Sequence, residues 1–302
     1  MELAIGPVLF EWKRSELLDF YDKAARSAVD RVYLGEVVCV KKRGLSIDDM
    51  LEVGRGLERA GKKVVVSTLA VVSNDEELDL VRRVLDLPFA VEANDMSVFN
   101  MADPKEREIY AGPHITTYNV PSVECLAELG VRGVCAPVEL SRESLRYNIE
   151  HTSVPTEVFC HGKVPLAFSW RCYTSRAYGR TKGECAHDCA RWPDGMETAT
   201  LDGERAFTIN GTSVLSAATY SLVEYVEDLE AIGVAALRIS PGGRDTFEAV
   251  DIFRRRMDGA LSAEEAAAEL EALSPGGLCN GWYLAGPGKV YISAAQGLAG
   301  AS

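Results

Sequence analysis

Residues 31–69 read RVYLGEVVCVKKRGLSIDDMLEVGRGLERAGKKVVVSTL. The runs Arg31–Gly35 and Lys63–Leu69 are short and rich in β-branched and aromatic residues, which suits strands. Between them Ile47–Ala60 is amphipathic and follows a capping Ser46, which suits a helix. Together they make one strand–helix–strand unit, and its neighbours repeat the pattern. Further strands are expected at Leu3–Leu9, Phe89–Ala93, Ile109–Ile115, Gly133–Pro137, Glu157–His161 and Ala235–Ile239. Helices are expected at Ser15–Ser27, Glu76–Leu85, Val123–Leu129, Ser141–His151 and Val214–Ile232, with Ser122 and Ser141 as further caps.

Eight strands in sequence, most followed by a helix, predict an α/β fold of the closed (β/α) TIM-barrel type. An open doubly wound sheet is disfavoured because its glycine-rich first turn is missing. Active residues of such a barrel gather where strands end, and there the sequence carries Glu36, Asn94, Asp95, His114, Glu139 and Arg238. The chain of 302 residues reads as a single barrel domain, 1–302. Residues 171–204 form a polar, cysteine-rich insertion after the seventh strand, and 275–302 an irregular tail around PGG and GPG turns.

Hydrophobic residues at 47% and charged residues at 25% describe a globular chain rather than a disordered one. No apolar run reaches the roughly 18 residues of a membrane span, and MELAIGPVLFEWKR has its positive charges after its apolar stretch, so a cytoplasmic protein without a signal peptide is expected. The net charge of −13, with no basic stripe evident, argues against nucleic acid as a partner. Gly54-Arg55-Gly56 lies inside a helical pattern and is no phosphate loop, HExxH and GxSxG are missing, and the sequon Asn210-Gly211-Thr212 carries no meaning in a cytosolic protein.

Eight cysteines in a reducing compartment do not read as four disulfides. Cys172, Cys185 and Cys189 lie within eighteen residues on one polar loop, a pattern that favours metal. The spacing does not match a zinc ribbon, which needs two close pairs. Cys39, just after the second strand, is the best fourth ligand, and four thiolates at a barrel mouth suit a 4Fe-4S cluster. His187 offers a Cys3His zinc site instead. Arg171, Arg176, Arg180, Lys182 and Arg191 would temper the thiolate charge or hold an anionic substrate. Cys125, Cys135 and Cys160 read as packing residues, and Cys279 as either packing or a lid over the barrel. Trp282-Tyr283 is a candidate interface contact, with packing over the barrel end as the alternative.

The segment EVFCHGKVPLAFSWRC (157–172) resembles the signature of the collagenase-like "unclassified" peptidase family, in which a strand bearing E-x-F-x-x-G leads into a cysteine-bearing loop. YLGEVVC (33–39), STLAVV (67–72), VEANDMSVFNM (91–101), PVELSR (137–142), the 172/185/189 spacing and CNGWYLAG (279–286) extend the resemblance along the whole chain. It implies a 4Fe-4S cluster on Cys39, Cys172, Cys185 and Cys189, in a subunit of an oxygen-independent hydroxylase. Its implied partners are UbiU, in a heterodimer that hydroxylates the ring of a ubiquinone precursor, the lipid-binding protein UbiT, and prephenate as hydroxyl donor. His161-Gly162-Lys163 replaces a cysteine-bearing run of the peptidase-like relatives, which speaks against peptidase activity. Glu36, Arg171 and Arg238 are the candidates for orienting substrate or hydroxyl donor. The alternatives are an iron–sulfur hydroxylase acting on RNA and a non-catalytic redox or scaffold subunit.

Overall fold

The computed structural model of the chain describes residues 1–243 and 245–297. Seven strands open it: β1 (Glu2–Ile5), β2 (Arg31–Gly35), β3 (Lys63–Ser67), β4 (Ala90–Ala93), β5 (Ile109–Ala111), β6 (Val131–Ala136) and β7 (Thr156–Gly162). The chain then makes an excursion through β8 (Pro165–Phe168), β9 (Met196–Ala199), β10 (Arg205–Asn210), β11 (Ser213–Ser216) and β12 (Thr219–Ser221), and returns as β13 (Ala236–Ile239). Strands β1 to β7 pair in order and in parallel, β13 pairs in parallel with β1 (Glu2 opposite Ala236), and β13 also pairs with β7 (Ala236 opposite Glu157). That last pairing closes eight parallel strands into a TIM barrel, the architecture expected from the sequence.

Helices α1 (Arg14–Arg26), α2 (Ile47–Arg59), α3 (Asp75–Leu85), α4 (Ser97–Met101), α5 (Val120–Glu128) and α6 (Arg142–Glu150) fill the crossovers. Ser46 caps α2 by accepting from Asp49 N, and Ser141 caps α6. The cap of α5 is Asn119 rather than Ser122, because Pro121 fixes the first turn one residue later and Asn119 Oδ1 accepts from Ser122 N. Strand side chains alternate in direction. Leu3, Ile5, Val32, Leu34, Val64 and Val66 face outward and pack under the helices in the main core, whereas Ala4, Tyr33 and Val65, with Ala90 and Tyr110 against them, form a small separate cluster inside the barrel.

The region expected as one helix over Val214–Ile232 is instead β11, β12, a 3-10 turn at Val223–Tyr225 and only then α8 (Val226–Ala231). Its first half alternates buried and half-buried residues in Ser213–Ser216, a strand pattern whose partners are distant: β11 pairs with β8 and β10. These join β9 in a four-stranded antiparallel sheet, so the cysteine-rich segment 171–204 sits inside a longer excursion of 165–216. Cys172 precedes the short α7 (Tyr173–Ala177) within it. After α9 (Thr246–Met257) and α10 (Ala263–Ala272), the tail adds β14 (Leu278–Cys279) beside β12 and a short α11 (Ala294–Gly297); positions 298–302 of the expected tail lie outside the described residues. Tyr283 is buried and its hydroxyl donates at 2.6 Å to Asp228 Oδ2 of α8, while Trp282 packs against the core, so this aromatic pair is taken up by packing within the chain.

Candidate functional site

The inside of the barrel is ionic where many TIM barrels stack aliphatic layers. Arg238, on the inward face of β13, is 3% exposed. It pairs with Glu92 of β4 at 2.6 Å and donates to Glu157 of β7, and its guanidinium lies 3.9 Å from the ring centre of Tyr33 of β2. Tyr33 in turn donates to Glu157 Oε2 at 2.9 Å, and Arg31 lies 3.3 Å from the same oxygen. Ser67 and Asn94 donate to Glu92 Oε2 at 2.7 and 3.1 Å. Burial alone would favour a neutral guanidinium, but Glu157 and Glu92 more than offset it and hold the Arg238 pKa well above its usual value. Burial likewise pushes Glu92 up, and Arg238, Ser67 and Asn94 bring it below the usual carboxylate value.

Above this network, at the C-terminal end of the strands, lies a cavity of about 330 Å³. Glu92, Asn94 and Arg238 reach it from below, Pro113, His114, Tyr118 and Glu139 line its side, and Leu166 to Phe168 of β8 overhang it. The His114 imidazole packs on Phe168 with ring centres 4.3 Å apart, and burial lowers its pKa to about 4, so it is neutral at pH 7. Such a pocket accepts a flat, largely apolar group bearing a few polar substituents.

The cysteine loops stand beside the mouth. Glu36, half-buried, accepts from Val38 N at 2.8 Å and Cys39 N at 3.1 Å and lies 3.4 Å from Lys42 Nζ, and desolvation pushes its carboxyl pKa up. Its role is to shape the turn that carries Cys39; among the described residues it does not line the mouth cavity. Burial raises the Cys39 thiol to about 11, with Lys182 and Lys42 nearby acting the other way. Cys189 is pushed up to about 12, by burial first, then by Glu11, and it also feels the thiols of Cys172 and Cys185. Backbone N–H groups donate to sulfur at two cysteines, Ser175 to Cys172 at 3.3 Å and His187 to Cys185 at 3.4 Å. All four are free thiols of intermediate exposure.

One turn joins these loops. Between β10 and β11, Asn210 donates to Leu9 O at 2.6 Å, Thr212 donates to Val38 O at 2.8 Å, and Gly211 O accepts from Tyr173 N at 2.8 Å. The segment next to Cys39 is thereby tied to the one next to Cys172. Arg180 pairs with the buried Asp188, fixing the far side of the loop. His187 adopts a left-handed conformation with φ 55°, and its Nδ1 lies 4.0 Å from Glu11, so it offers sulfur its backbone N–H. Among the described residues no group of three or more His, Cys, Asp or Glu side chains is gathered as a single-ion site. The donor set itself, four unbonded thiols two of which already accept N–H bonds, fits an iron–sulfur cluster in kind.

The other residues singled out in the sequence fall in different places. Asn94, His114, Glu139 and Arg238 converge on the mouth cavity, Arg238 from within β13 rather than after it, and Asp95 caps the turn into α4 by accepting from Ser97 N at 2.8 Å. Arg171 is exposed and lines a separate cavity with Cys172. Cys135, Cys160 and Cys279 are buried as packing residues, but Cys125 is exposed, because it sits on the outer face of α5. Sequence reading missed Glu92, Glu157, Tyr33 and Arg31, whose signal was a charged or hydroxylated residue at an inward position of an apolar strand. It also missed the Asn210–Thr212 turn, which looked like a stray sequon.

The profile of peptidase family U32 matches residues 18–292. The 23S rRNA 5-hydroxycytidine C2501 synthase of Escherichia coli strain K12 is 27% identical over 179 residues, 55% of this chain and 27% of that protein. The tRNA hydroxylation protein P of Helicobacter pylori strain 26695 is 25% identical over 198 residues, 59% of this chain and 46% of that protein. The chain thus spans between about a quarter and a half of the length of these relatives. Among solved structures, a DAHP synthase from Thermotoga maritima matches with a TM-score of 0.48 and 11% identity, over 86% of this chain and 69% of that one. The expectation that excluded nucleic acid is corrected by these relatives, which are named for rRNA and tRNA hydroxylation. The exclusion rested on net charge, a sum over the whole chain, whereas the fold gathers Lys41, Arg171, Arg176, Arg180 and Lys182 around one cavity. No helix of the described residues is long and apolar enough to cross a membrane.

Proposed function

Starting from the fact that the chain belongs to peptidase family U32, we propose that it is a 4Fe-4S subunit of an oxygen-independent hydroxylase whose substrate ring enters the barrel mouth. Cys39, Cys172, Cys185 and Cys189 hold the cluster, and when bound it supplies one-electron transfer. The observation that carries the reading is the shared turn Asn210–Thr212, which ties the Cys39 loop to the Cys172 loop beside a cavity of about 330 Å³. Glu36 positions the Cys39 turn. Arg238, with both its carboxylate partners supplied by the protein, holds the cavity floor, and His114 offers a neutral imidazole at its wall. The mouth cavity has the size and mixed polarity for a single substituted ring.

The finer reading is that the ring belongs to a ubiquinone precursor and that the enzyme is a heterodimer with UbiU. It is supported by the seven sequence segments, which resemble UbiV, a member of this family. A second reading, hydroxylation of an RNA base, is supported by the names of the relatives. Iron and acid-labile sulfide, measured with electron paramagnetic resonance after anaerobic purification, test the cluster: a colourless protein without sulfide defeats it. Product analysis then separates the substrates. Loss of the hydroxylated quinone precursor in a deletion strain with unchanged RNA nucleosides supports the first reading, and the reverse pattern the second.

A further inference from the structure

A cavity of about 700 Å³ opens beside the cysteine loop with Cys172 in its wall. At its edge Trp170 is 59% exposed and Tyr173 39%. Lys41, Arg171, Arg176, Arg180 and Lys182 line it against only Glu76 and Glu77. Two of these cations are neutralised, Lys182 by Glu77 at 2.7 Å and Arg180 by Asp188. Lys41 donates to a backbone carbonyl, that of Lys182, at 3.0 Å. Arg171 and Arg176 are exposed, and among the described residues neither has a carboxylate within 4.0 Å. A patch of free guanidinium groups around an exposed tryptophan is thus set into a chain of net charge −13.

We propose that this patch is the docking surface for an acidic one-electron carrier protein, which reduces the cluster through the wall that bears Cys172. The inference rests on the iron–sulfur reading above and is independent of which ring is hydroxylated. One electron leaves the carrier and enters the cluster, and no bond forms or breaks. Charge complementarity favours this orientation, because the two unpaired guanidinium groups of Arg171 and Arg176 beside Cys172 would attract an acidic carrier to the cysteine loop of a chain whose net charge is −13. Exposed Trp and Arg are also the residue types that anchor interfaces. A nucleic-acid strand on the same cations is the competing occupant, and the oligoribonucleotide arm of the test reads it directly.

The test is isothermal titration of the anaerobically purified full chain with a flavodoxin of net negative charge, at low salt and at about 0.5 M salt, where screening shrinks to a few ångströms. Iron and sulfide are measured on every preparation. The double variant R171E/R176E is expected to bind about tenfold more weakly with unchanged iron content, R55E on the flank helix α2 to bind as the parent does, and high salt to abolish binding. Equal affinity of parent and double variant, or no binding at low salt by a protein that holds its cluster, overturns the docking proposal. So does a single-stranded oligoribonucleotide that occupies the patch, depends on Trp170 and excludes the flavodoxin. Preparations without iron and sulfide instead refute the iron–sulfur reading itself, and that measurement identifies them before any titration.

Discussion

At Cys39 the chain turns sharply enough for one carboxylate, that of Glu36, to accept from the next two available N–H groups, Val38 and Cys39. A thiol held on such a turn presents its sulfur in a fixed direction, which is what a cluster ligand requires. If the proposed cluster is present, replacing Cys39, Cys172, Cys185 or Cys189 with Ala is expected to remove most of the bound iron and sulfide, because each thiolate would hold one of its irons. Cys135→Ala serves as the control, since Cys135 is buried within β6 beside the ionic network and should keep the full complement. If Cys39→Ala retained the cluster and Cys279→Ala lost it, the fourth ligand would have been misassigned. That Cys172, Cys185 and Cys189 stay out of the packed core was legible, because thiols crowded on a polar segment have no packing reason to be there; their role as ligands is part of the proposal. The positioning roles of Glu36 and of the Asn210 turn were not, since a side chain that bonds backbone two to about two hundred residues away leaves no periodic trace.

Elements meet through a few such contacts, and two of them are sharp enough to probe. In α2, Gly54 lies against Phe89: a Cβ built there would stand 2.3 Å from Phe89 Cζ, on a ring that is itself buried. Gly54→Ala should therefore destabilise the barrel by about 1–3 kcal/mol through overpacking, although alanine is the better helix former. An urea midpoint equal to or above the parent's would show that the helix shifts freely. The β10–β11 turn gives the complementary case. Asn210→Ala removes the 2.6 Å bond to Leu9 O, which keeps the Lys42 ammonium as its other donor, and is expected to cost about 0.5–1.5 kcal/mol, with weaker iron retention than the Cys135→Ala control. The stability loss is read from chemical denaturation and the cluster loss from sulfide assay, so a purely structural effect leaves iron per folded molecule unchanged. The same segment explains the misread helix at Val214–Ile232. Its first eight residues hold apolar positions compatible with either period, and only the distant partners β8 and β10 decide for strand.

For the whole molecule, closure of the barrel was legible, since eight short apolar runs separated by amphipathic stretches admit few other topologies. The content of the barrel was not. Arg238, Glu92, Glu157, Tyr33 and Arg31, with Glu2 beyond them, link strands β1, β2, β4, β7 and β13, and the closing seam between β7 and β13 is bridged by the Arg238–Glu157 pair. Removing the cation by Arg238→Met leaves Glu92 without a cationic partner, held only by Ser67 and Asn94, and Glu157 with only Arg31 and Tyr33, which is expected to cost about 3–5 kcal/mol. The pH dependence follows from Glu92. Its folded pKa lies below the ordinary carboxylate value of 4.5, so its contribution is fully present above that value and is lost as pH falls through the folded pKa. Glu92→Gln removes the charge at every pH. It should lower the urea midpoint at neutral pH, and the gap to the parent should narrow steadily as the pH is taken below 4.5, where the parent's own Glu92 gains a proton. Denaturation curves for both proteins between neutral pH and the acid limit of folding decide the matter. A gap that stays constant would mean that Glu92 matters to the barrel by its shape and hydrogen bonds and not by its charge.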